Sequence, residues 1–453
     1  MRDLAAVILA AGLGKRMKSG VVKVLHPLRG KPLLKYVVDA ARGAGIARII
    51  VVIGHQADAV KEAMGDGLDY AVQVQQLGTG HAVMQAEALL KDFEGDVIVL
   101  YGDTPFLTPE LLTNLADCHA RGGYGATIVT AIVDDPSGYG RILRGADGVE
   151  RIVEDRDCTP VEKSIKEINS GIYCFQSRRL FEALKALRPE NAQGEYYLTD
   201  AVEGIKLAGG RIGALRVDDP LAVMGINDRK QLAWAEGILR KKKVDALMEA
   251  GVTVVDPSSV FVDDEVEVGP DTVIKPFTFI EGPSRIGSRC VIGPSTRVWA
   301  SVIGNDCTVE FSVVEEGAVE DGAVVGPFSH LRPGCRVGMG AKIGNFTEIK
   351  NSVIGARAKI PHHSYVGDSD IGPDVNIGAG SVTVNYDGRR KHRTVIDEGA
   401  FIGCNSNLVA PVRVGRGAYV AAGSTINRDV PDGALGIARA RQENKDGWAL
   451  RRR

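Results

Sequence analysis

The second half of the sequence reads Val325-Gly-Pro-Phe-Ser-His-Leu331-Arg-Pro-Gly-Cys-Arg-Val337-Gly-Met-Gly-Ala-Lys-Ile343-Gly-Asn-Phe-Thr-Glu-Ile349, with an aliphatic residue at every sixth position. The repeat slips by one residue twice and then resumes, at Ile354, Ile360, Val366, Ile371, Ile377, Ile396, Ile402, Leu408, Val414, Val420 and Ile426. Neither the helical period nor the alternation of a strand gives six. A hexapeptide repeat predicts a parallel β-helix, in which the aliphatic side chains point inward and three repeats close one coil.

The alternative fold for such a Gly-rich sequence is a β-sandwich. Sandwich strands do not keep one period through so many repeats, so the β-helix is favoured. The repeat can be followed back to Val260, which predicts roughly nine coils of about 18 residues each.

Composition limits the classes of function. A net charge of −2 over 453 residues argues against nucleic-acid binding driven by bulk charge. No apolar stretch approaches the roughly 20 residues of a membrane span, so no span is predicted. Seven scattered cysteines without a CxxC pair indicate reduced thiols and a cytoplasmic protein.

The first half alternates between strand and helix patterns. Strands are predicted at Leu4–Leu9, Ile49–Ile53, Ala71–Gln75 and Val97–Leu100, and helices at Leu33–Ala44, Asp58–Met64 and His81–Leu90. This alternation predicts a doubly wound, mostly parallel sheet. Such sheets bind ligands at the carboxyl ends of their strands, where the polar, Gly-rich segments Gly12–Lys18, Gln75–Gly80 and Tyr101–Pro105 lie.

The first of these loops reads Leu9-Ala-Ala-Gly-Leu-Gly-Lys-Arg-Met17. It fails the dinucleotide pattern G-x-G-x-x-G because Met17 stands at the third glycine, and it fails the P-loop pattern as well. A Gly-rich turn with exposed N–H groups beside Lys15 and Arg16 is built to hold phosphate. The alternative is a basic, solvated connection between strand and helix.

Longer motifs make a family resemblance specific. These motifs are Leu9–Met17, Lys23-Val-Leu-His26, Gln76-Leu-Gly-Thr-Gly-His81, Tyr101-Gly-Asp103, Gly138-Tyr-Gly-Arg-Ile142, Glu167-Ile-Asn-Ser-Gly171 and Asn191-Ala-Gln-Gly-Glu-Tyr-Tyr197. Joined to hexapeptide repeats, they resemble the bacterial family of bifunctional N-acetylglucosamine-1-phosphate uridyltransferases and glucosamine-1-phosphate acetyltransferases. The resemblance covers nearly the full chain.

The resemblance implies an α/β plus all-β fold. A Rossmann-like nucleotidyltransferase domain is expected over residues 1–227 and a left-handed parallel β-helix acetyltransferase domain over 251–437. An amphipathic linker helix is expected over 228–250, with a solvated run of lysines at 241–243, and a C-terminal tail over 438–453. The family is a homotrimer that assembles through the β-helix.

The activity implied has two steps. The β-helix acetylates glucosamine 1-phosphate with acetyl-CoA. The N-terminal domain then transfers UMP from UTP to N-acetylglucosamine 1-phosphate, with Mg²⁺ as cofactor, giving UDP-N-acetylglucosamine and pyrophosphate. The alternatives are a monofunctional nucleotidyltransferase with a structural solenoid, and a non-enzymatic nucleotide-sugar sensor.

For uridylyl transfer, Arg16 and Lys23 are the expected neutralisers of the triphosphate. Asp103 ends an apolar strand, where a carboxylate reaches a metal, and the resemblance implies that Asp103 and Asn227 hold Mg²⁺. It also implies nucleotide contacts at Leu9, Ala10, Ala11, Gly12, Lys23, Gln73, Gly78 and Thr79, and sugar contacts at Tyr101, Gly140, Glu154, Asn169 and Asn227. Asn169 as a turn former and Asp103 as a plain loop acid are the alternative readings. The family has proline where Val22 stands.

For acetyl transfer, a histidine suits the removal of a proton from the attacking amine. The family pattern selects His362, three residues before Tyr365, over His363. Glu348 is a candidate to orient the base. The resemblance implies sugar-phosphate contacts at Arg332, Lys350, Tyr365 and Asn376, and acetyl-CoA contacts at Ala379, Asn385, Tyr386, Cys404, Ala422 and Arg439. Cys404 replaces an expected serine, and a thiol is a weaker hydrogen-bond donor.

Overall fold

The computed structural model describes residues 3–145, 148–191 and 193–452 of the chain. Arg453, the last residue of the expected tail, lies outside this set, as does Ala192 of the motif at 191–197. The chain divides into two compact units, Met1–Glu236 and Gly237–Arg453. Each unit is described by itself.

The N-terminal unit alternates strands with helices. Its strands are β1 (Leu4–Leu9), β2 (Pro27–Leu28), β3 (Lys31–Pro32), β4 (Arg48–Ile53), β5 (Asp69–Val72), β6 (Asp96–Tyr101), β7 (Ala126–Ile132), β8 (Gly140–Gly145), β9 (Gly148–Val153), β10 (Glu167–Gln176) and β11 (Ile212–Val217). Its α-helices are α1 (Leu33–Gly43), α2 (Ala57–Met64), α3 (Thr79–Met84), α4 (Pro109–Gly122), α5 (Ser177–Lys185) and α6 (Leu198–Leu207). Short 3₁₀ turns lie at Lys15–Met17, Lys23–Leu25, Glu87–Leu90, Glu162–Ser164 and Pro220–Val223.

The main sheet has the strand order β11-β7-β10-β6-β1-β4-β5, and the β8–β9 hairpin attaches to β10. β10 runs antiparallel to both of its neighbours, and the other pairs along this path are parallel. Five of the six residues of β1 are buried, because helices cover both faces of the sheet. The mostly parallel sheet predicted from the sequence is therefore confirmed, with one reversed strand.

Two predicted elements differ from the structure. The strand expected at 71–75 lies at Asp69–Val72, so Gln73 already belongs to the loop that follows β5. The helix expected at 81–90 is shorter, because α3 ends at Met84 and a separate 3₁₀ turn follows at Glu87–Leu90. The first difference lengthens the loop at the carboxyl end of β5, and the second lies in the connection that leads from α3 to the start of β6.

The C-terminal unit is a parallel β-helix with three faces. The first face contains Thr253–Val254, Val273–Ile274, Val291–Ile292, Thr308–Val309, Val324–Val325, Lys342–Asn345, Lys359–His362, Asn376–Ile377, Phe401–Ile402, Tyr419–Val420 and Leu435–Gly436. The second face contains Phe261–Val262, Phe279–Glu281, Arg297–Trp299, Val313–Glu315, His330–Leu331, Glu348–Lys350, Tyr365–Gly367, Val382–Val384, Asn407–Val409 and Thr425–Ile426. The third face contains Glu267–Val268, Arg285–Ile286, Val302–Ile303, Ala318–Val319, Arg336–Val337, Val353–Ile354, Ser369–Ile371, Thr394–Ile396 and Val412–Val414. A 3₁₀ turn at Leu450–Arg452 follows.

The aliphatic repeat forms the core of this unit. Every aliphatic position of the repeat is buried, from Val260 to Ile426. Strands pair so that Val325 stacks on Ile343, and Ile343 on Ile360. The nine strands of the third face give nine complete coils, as expected from the sequence.

The one-residue slips shorten corners without breaking the ladder. Val337 still pairs in register with Ile354, and Ile354 with Ile371, although the spacing along the chain has changed. Asn351, at the shortened corner, has a φ of 46°. The interruption between Ile377 and Ile396 is a loop after Val384, which returns to the third face at Thr394.

A third feature of the chain is the long helix α7 (Arg229–Glu249). It falls within the range 228–250 that was expected for a linker helix. Lys241 and Lys242 are exposed, as expected of a solvated face. Lys243 is different, because its ammonium donates to the carbonyls of Asp264 and Val266, at 2.8 Å each.

A search of the described residues finds no helix that is both long and apolar enough to cross a membrane.

Candidate active sites

A cavity of about 240 Å³ opens at the carboxyl edge of the N-terminal sheet. The ends of β1, β5 and β6 form its floor, and the loops that follow them form its walls. The residues that line it are Leu9, Ala10, Ala11, Gly12, Lys23, Val24, Gln73, Gln76, Gly78, Thr79, Ala82, Tyr101, Asp103 and Glu195. The structure therefore brings together every residue that was predicted to contact the nucleotide.

A cluster of charged and polar groups lies at this cavity. Asp103, the second residue after the end of β6, is buried, and its carboxylate forms an ion pair with the Lys23 ammonium. The Oδ1 atom of Asn227 accepts hydrogen bonds from Arg16 Nη2 at 2.9 Å and from Lys23 Nζ at 3.3 Å. The two predicted cationic residues and the two predicted metal ligands thus form one network.

This network tests the expected Mg²⁺ site. Oxygen atoms of Asp103 and Asn227 converge on one cation, the Lys23 ammonium. Mg²⁺ prefers such hard oxygen ligands and takes its remaining ligands from water and substrate phosphate. The donor set therefore fits Mg²⁺.

The loop after β5 is held by polar contacts within the loop and with the segment at 196–198. Gln73 Nε2 donates to the Gly78 carbonyl at 3.1 Å and lies 3.0 Å from His81 Nδ1. The Thr79 hydroxyl accepts from the Leu198 amide at 3.1 Å. Gly78 has a φ of 111°, and a Cβ there would lie 2.6 Å from the Tyr196 carbonyl oxygen, so only glycine fits.

Three of the five residues predicted to contact the sugar lie together: Gly140 on β8, Asn169 on β10 and Glu154 directly after β9. A Cβ added at Gly140 would lie 3.4 Å from Asn169 Cβ and 3.5 Å from Glu154 Oε2. Asn169 accepts from the Gly171 amide at 3.0 Å, as a turn former does, and donates to the Tyr173 hydroxyl at 2.7 Å. Burial raises the pKa of Glu154. Burial, with Glu154 and Asp103 nearby, also raises the pKa of Tyr101.

Asp200, in the first turn of α6, supports a prediction about pH. Burial, with Glu203 and Asp157 nearby, raises the pKa of Asp200 to about 6. The native state therefore binds this proton more tightly than the unfolded state, and the carboxylate lowers stability as the pH rises from about 4 through 6. Asp200→Asn is expected to raise the free energy of unfolding by about 1 kcal/mol at pH 8, after allowance for solvent screening, and by much less at pH 4.

Thermal unfolding at the two pH values measures this difference. Asp58→Asn, which changes an exposed acid in the first turn of α2, is the matched control. An equal gain for Asp200→Asn at both pH values would contradict the prediction.

Val22 stands where the sequence resemblance implies a proline, and it supports a second prediction. Its φ of −56° and ψ of 138° are already those of proline, and its side chain is buried. Val22→Pro is expected to stabilise the chain by about 0.4–1 kcal/mol, because proline reduces the entropy of the unfolded state. Val21→Pro is the control, since the Val21 amide donates to Ser19 Oγ at 3.1 Å and proline would remove that bond. A lower melting temperature for Val22→Pro than for the unsubstituted chain would contradict the prediction.

The second candidate site lies on the β-helix around His362. His362 ends a strand of the first face, and its Nδ1 lies 2.7 Å from Asn345 Oδ1 of the preceding coil. Because an amide oxygen only accepts, Nδ1 carries the hydrogen and Nε2 has a free lone pair. His363 differs, because its ring packs 5.0 Å from the ring of Phe346 and its φ is 46°.

Cationic groups gather near the ends of the second-face strands. Arg332 Nη1 donates to Glu348 Oε1 at 2.8 Å, so the structure pairs Glu348 with Arg332 and not with His362. The loop of residues 385–393 that interrupts the repeat is called the inserted loop here, and Lys391 belongs to it. Lys391 and Arg332 lower the pKa of Lys350. Repulsion among these three cations favours a bound anion.

Two other residues expected to contact the sugar phosphate belong to neighbouring strands. Tyr365 begins the second-face strand directly above Glu348. Asn376 begins the next first-face strand after His362. The expected set therefore spans the first and second faces of adjacent coils.

The inserted loop is anchored at both ends of its turn. Asn385 is buried, and its Nδ2 donates to Asp368 Oδ2 at 2.5 Å. Asp387 accepts from the amides of Arg389 and Arg390, at 2.8 Å each. Tyr386, between these anchors, is exposed. The hydrogen bonds on either side of Tyr386 therefore fix its backbone position, while its side chain is exposed to solvent.

The remaining residues expected to contact acetyl-CoA form a column along one corner of the β-helix. The Asn405 amide donates to the Ala379 carbonyl at 2.7 Å, and the Gly423 amide donates to the Cys404 carbonyl at 2.8 Å. Cys404 and Ala422 are exposed. A Cβ at Gly423 would lie 3.9 Å from Cδ of Arg439. His362 lies at the same corner, because the Gly380 amide bonds to the carbonyl of its neighbour His363.

Sequence reasoning did not assign roles to Asn345, Asp368 or Lys391. The repeat held a signal for Asn345, since it lies 17 residues before His362, which is one shortened coil. The same argument places Asn351 below Asp368, and their side chains are joined by a 2.6 Å hydrogen bond.

Family models match both units. The model of a MobA-like NTP transferase domain matches residues 6–204. The model of the bacterial transferase hexapeptide, with six repeats, matches residues 318–351 and 393–428. The fold and its two candidate sites therefore define a nucleotidyltransferase joined to a hexapeptide-repeat transferase.

Relatives identify the family. The chain is 52% identical to the bifunctional protein GlmU of Caldanaerobacter subterraneus subsp. tengcongensis over all of this chain and 99% of that protein. It is 50% identical to that of Acetivibrio thermocellus, over all of this chain and 98% of the other. It is 49% identical to that of Brevibacillus brevis, over 99% of this chain and 98% of the other.

The chain belongs to the bifunctional GlmU family. It is a bifunctional transferase with uridyltransferase and acetyltransferase activities. The family, fold class and function predicted from the sequence are therefore confirmed, and the monofunctional alternative is rejected.

Proposed function

We propose that residues 251–437 acetylate glucosamine 1-phosphate with acetyl-CoA, and that residues 1–227 then convert the product and UTP into UDP-N-acetylglucosamine and pyrophosphate. The observation that carries this assignment is that each unit has its own polar centre. One centre joins Asp103, Asn227 and Lys23, and the other joins His362 to Asn345.

In the acetyl transfer step, His362 acts as the general base. Asn345 holds Nδ1, so Nε2 is free to take a proton from the substrate amine as that amine attacks the acetyl carbon. The C–S bond then breaks, and CoA leaves as its thiol. The cationic group of Arg332, Lys350 and Lys391 binds the sugar phosphate and fixes the amine near the base.

The acyl donor binds along the corner column. Ala379, Cys404 and Ala422 are small residues that leave room for an elongated ligand, and Arg439 supplies a positive charge for its phosphates. Asn385 and Tyr386 bound the donor on the side of the inserted loop, and Asp368 orients Asn385.

In the uridylyl transfer step, the nucleophile is already an anionic phosphate oxygen, so no general base is required. Catalysis then depends on position and on neutralising charge at the α-phosphate. Lys23 and Arg16 provide this charge, while the loops of Gln73, Gly78 and Thr79 hold the uracil. Asp103 and Asn227 would hold Mg²⁺, and the ion would supply positive charge that stabilises the phosphates.

Gly140, Glu154 and Asn169 bind the acetylated sugar beside the nucleotide. These residues adjoin one another, and Tyr101 lies near Glu154. Hydrogen bonds from fixed polar groups would orient the sugar for in-line attack.

We also propose a homotrimer that forms through the β-helix. Three exposed aromatic side chains, Phe311, Phe328 and Phe346, stack along one corner of the helix with ring centroids 5.5 Å apart, and are called the aromatic ladder here. A continuous exposed apolar surface favours association between chains. All seven cysteines are free thiols, which supports a cytoplasmic location.

A coupled assay tests the assignment. Glucosamine 1-phosphate, acetyl-CoA, UTP and Mg²⁺ are supplied together, and free CoA and pyrophosphate are measured separately. Release of both, with UDP-N-acetylglucosamine formed, is the expected result. Pyrophosphate only when N-acetylglucosamine 1-phosphate is supplied, and no free CoA, would reject the acetyltransferase assignment.

A further inference from the structure

Strand β10 contains a β-bulge at the proposed sugar site. Asn169 pairs with Thr130 of β7. Four residues further along β10, Tyr173 pairs with Ile128, so this stretch of β10 advances by only two residues of β7. At about 3.4 Å per residue, Asn169 and Tyr173 are therefore about 7 Å apart along the strand, instead of the roughly 14 Å of a regular strand. Bulges of this kind redirect side chains and are common beside active sites.

The bulge is held by contacts of its own residues. The Ser170 hydroxyl donates to the Val129 carbonyl at 2.7 Å and accepts from the Ile172 amide at 3.1 Å. Gly171 has a φ of 80°, and a Cβ there would lie 2.4 Å from Cε2 of Tyr101. Only glycine fits this position, because the Tyr101 ring packs directly against the bulge.

The bulge brings two side chains of one strand into contact. Asn169 Nδ2 donates to the Tyr173 hydroxyl at 2.7 Å. In a regular strand, side chains four residues apart would be too distant for such a bond. The Tyr173 side chain is 1% exposed, and burial raises its pKa, so the acceptor is the neutral phenol.

These contacts define the direction in which the Asn169 amide faces. Its Oδ1 accepts from the Gly171 amide at 3.0 Å, and one hydrogen of Nδ2 is donated to Tyr173. An amide nitrogen carries a second hydrogen, and Nδ2 has no further acceptor among the residues that the structure describes. A Cβ at Gly140 would lie 3.4 Å from Asn169 Cβ, so the amide adjoins the other residues assigned to the sugar. The second N–H is therefore available to an acceptor oxygen of a bound sugar.

We propose that Tyr173 is a positioning residue of the uridylyl transfer site, whose buried hydroxyl holds the Asn169 amide in the orientation that donates to an acceptor oxygen of the sugar. This inference rests on the proposed contact between Asn169 and the sugar. Tyr173 acts through Asn169, because its own side chain is buried. Without the hydroxyl, the amide can rotate by half a turn and present an acceptor where the sugar needs a donor. Only the correctly oriented fraction of the protein then binds the sugar, and the apparent affinity falls with that fraction.

Kinetics of Tyr173→Phe test this role. The substitution removes one oxygen atom and keeps the ring, which stacks on Phe175 with centroids 5.4 Å apart. The KM for N-acetylglucosamine 1-phosphate is expected to rise about fivefold, because the competent fraction falls. The kcat and the KM for UTP are expected to change by less than about twofold. Tyr36→Phe is the matched control, since it removes a hydroxyl of α1 that donates to the Leu28 carbonyl at 2.8 Å.

A double-mutant cycle separates positioning from a purely structural role. Asn169→Ser keeps a short acceptor for the Gly171 amide and removes the amide group that Tyr173 holds. In the Asn169→Ser background, Tyr173→Phe is expected to change the KM for the sugar phosphate by less than about twofold, because the residue through which it acts is gone. Melting temperatures of all variants show whether each one folds.

The outcomes distinguish this inference from the function on which it rests. If Asn169→Ser keeps the KM of the unsubstituted chain for N-acetylglucosamine 1-phosphate, the sugar assignment is wrong, and the role of Tyr173 is rejected with it. If Asn169→Ser raises that KM but Tyr173→Phe does not, only the role of Tyr173 is wrong. An equal effect of Tyr173→Phe in both backgrounds, or an equal rise in the KM for UTP, would also overturn it. A rise confined to the sugar phosphate and to the chain that retains Asn169 would support it.

Discussion

Asp103→Ala is expected to lower uridylyl transfer by at least about 10²–10³-fold and to leave acetyl transfer at the rate of the unsubstituted chain. Asp103 is buried at the end of β6, and its carboxylate meets the Lys23 ammonium beside Asn227. Alanine removes the only carboxylate proposed to hold Mg²⁺ and leaves Lys23 without its anionic partner. Negative charge at the α-phosphate then loses the stabilisation that the metal and a correctly placed Lys23 would provide.

The local backbone is expected to keep its conformation in Asp103→Ala. The Asp103 carbonyl accepts the Ile226 amide at 2.9 Å, and alanine keeps that bond. Pyrophosphate release and CoA release are measured in parallel, with Asp117→Ala as a control that removes a partly exposed acid of α4 paired with Arg121. Normal pyrophosphate release by Asp103→Ala would exclude Asp103 from the site. Asp103→Asn keeps an oxygen ligand and is expected to retain more activity than Asp103→Ala.

His362→Ala is expected to have the opposite effect. Acetyl transfer should fall by about 10²–10⁴-fold, the usual contribution of a general base, while uridylyl transfer is unchanged. The reason is that His362 has Nδ1 bonded to Asn345 and Nε2 free to accept a proton. Because the side chain is exposed at the end of its strand, alanine leaves the aliphatic core of the coil intact.

His363→Ala is the matched control for this prediction. The two histidines are adjacent, but the ring of His363 packs on Phe346 at the end of the aromatic ladder. Loss of CoA release in His363→Ala, with normal release in His362→Ala, would reverse the assignment. Asn345→Ala is expected to give a smaller loss than His362→Ala, because the base remains but its tautomer and orientation are no longer fixed.

The repeat and the buried strands could be predicted from the sequence because both are local patterns. An aliphatic residue at every sixth position has one stable arrangement, and each of these positions is buried. β1 was predicted to the residue, since six apolar residues followed by a Gly-rich loop leave little freedom. The reversed direction of β10 was not predicted, because an apolar strand looks the same in either direction.

The sites were less predictable because their contacts join distant residues. Arg16 meets Asn227, 211 positions away, and no spacing rule relates the two. Glu348 was assigned to orient the base from its place in the sequence, but the ladder places it against Arg332, and Asn345 faces His362 instead. Residue types could be read from motifs, whereas the partner of each side chain depends on which coil lies above it.

The stacking of the coils also determines where unfolding of the C-terminal unit begins. In such a stack each coil contacts only the coils next to it. Local unfolding therefore begins at an end of the stack and proceeds inward. Four more strands of the first face follow the strand of His362, and the last of them is the short strand Leu435–Gly436. The proposed binding site for the acyl donor extends along the same coils to Arg439. A bound acyl donor would contact several of these strands at once and so stabilise the C-terminal end against local unfolding. Amide hydrogen exchange in these strands is therefore expected to slow when CoA is added.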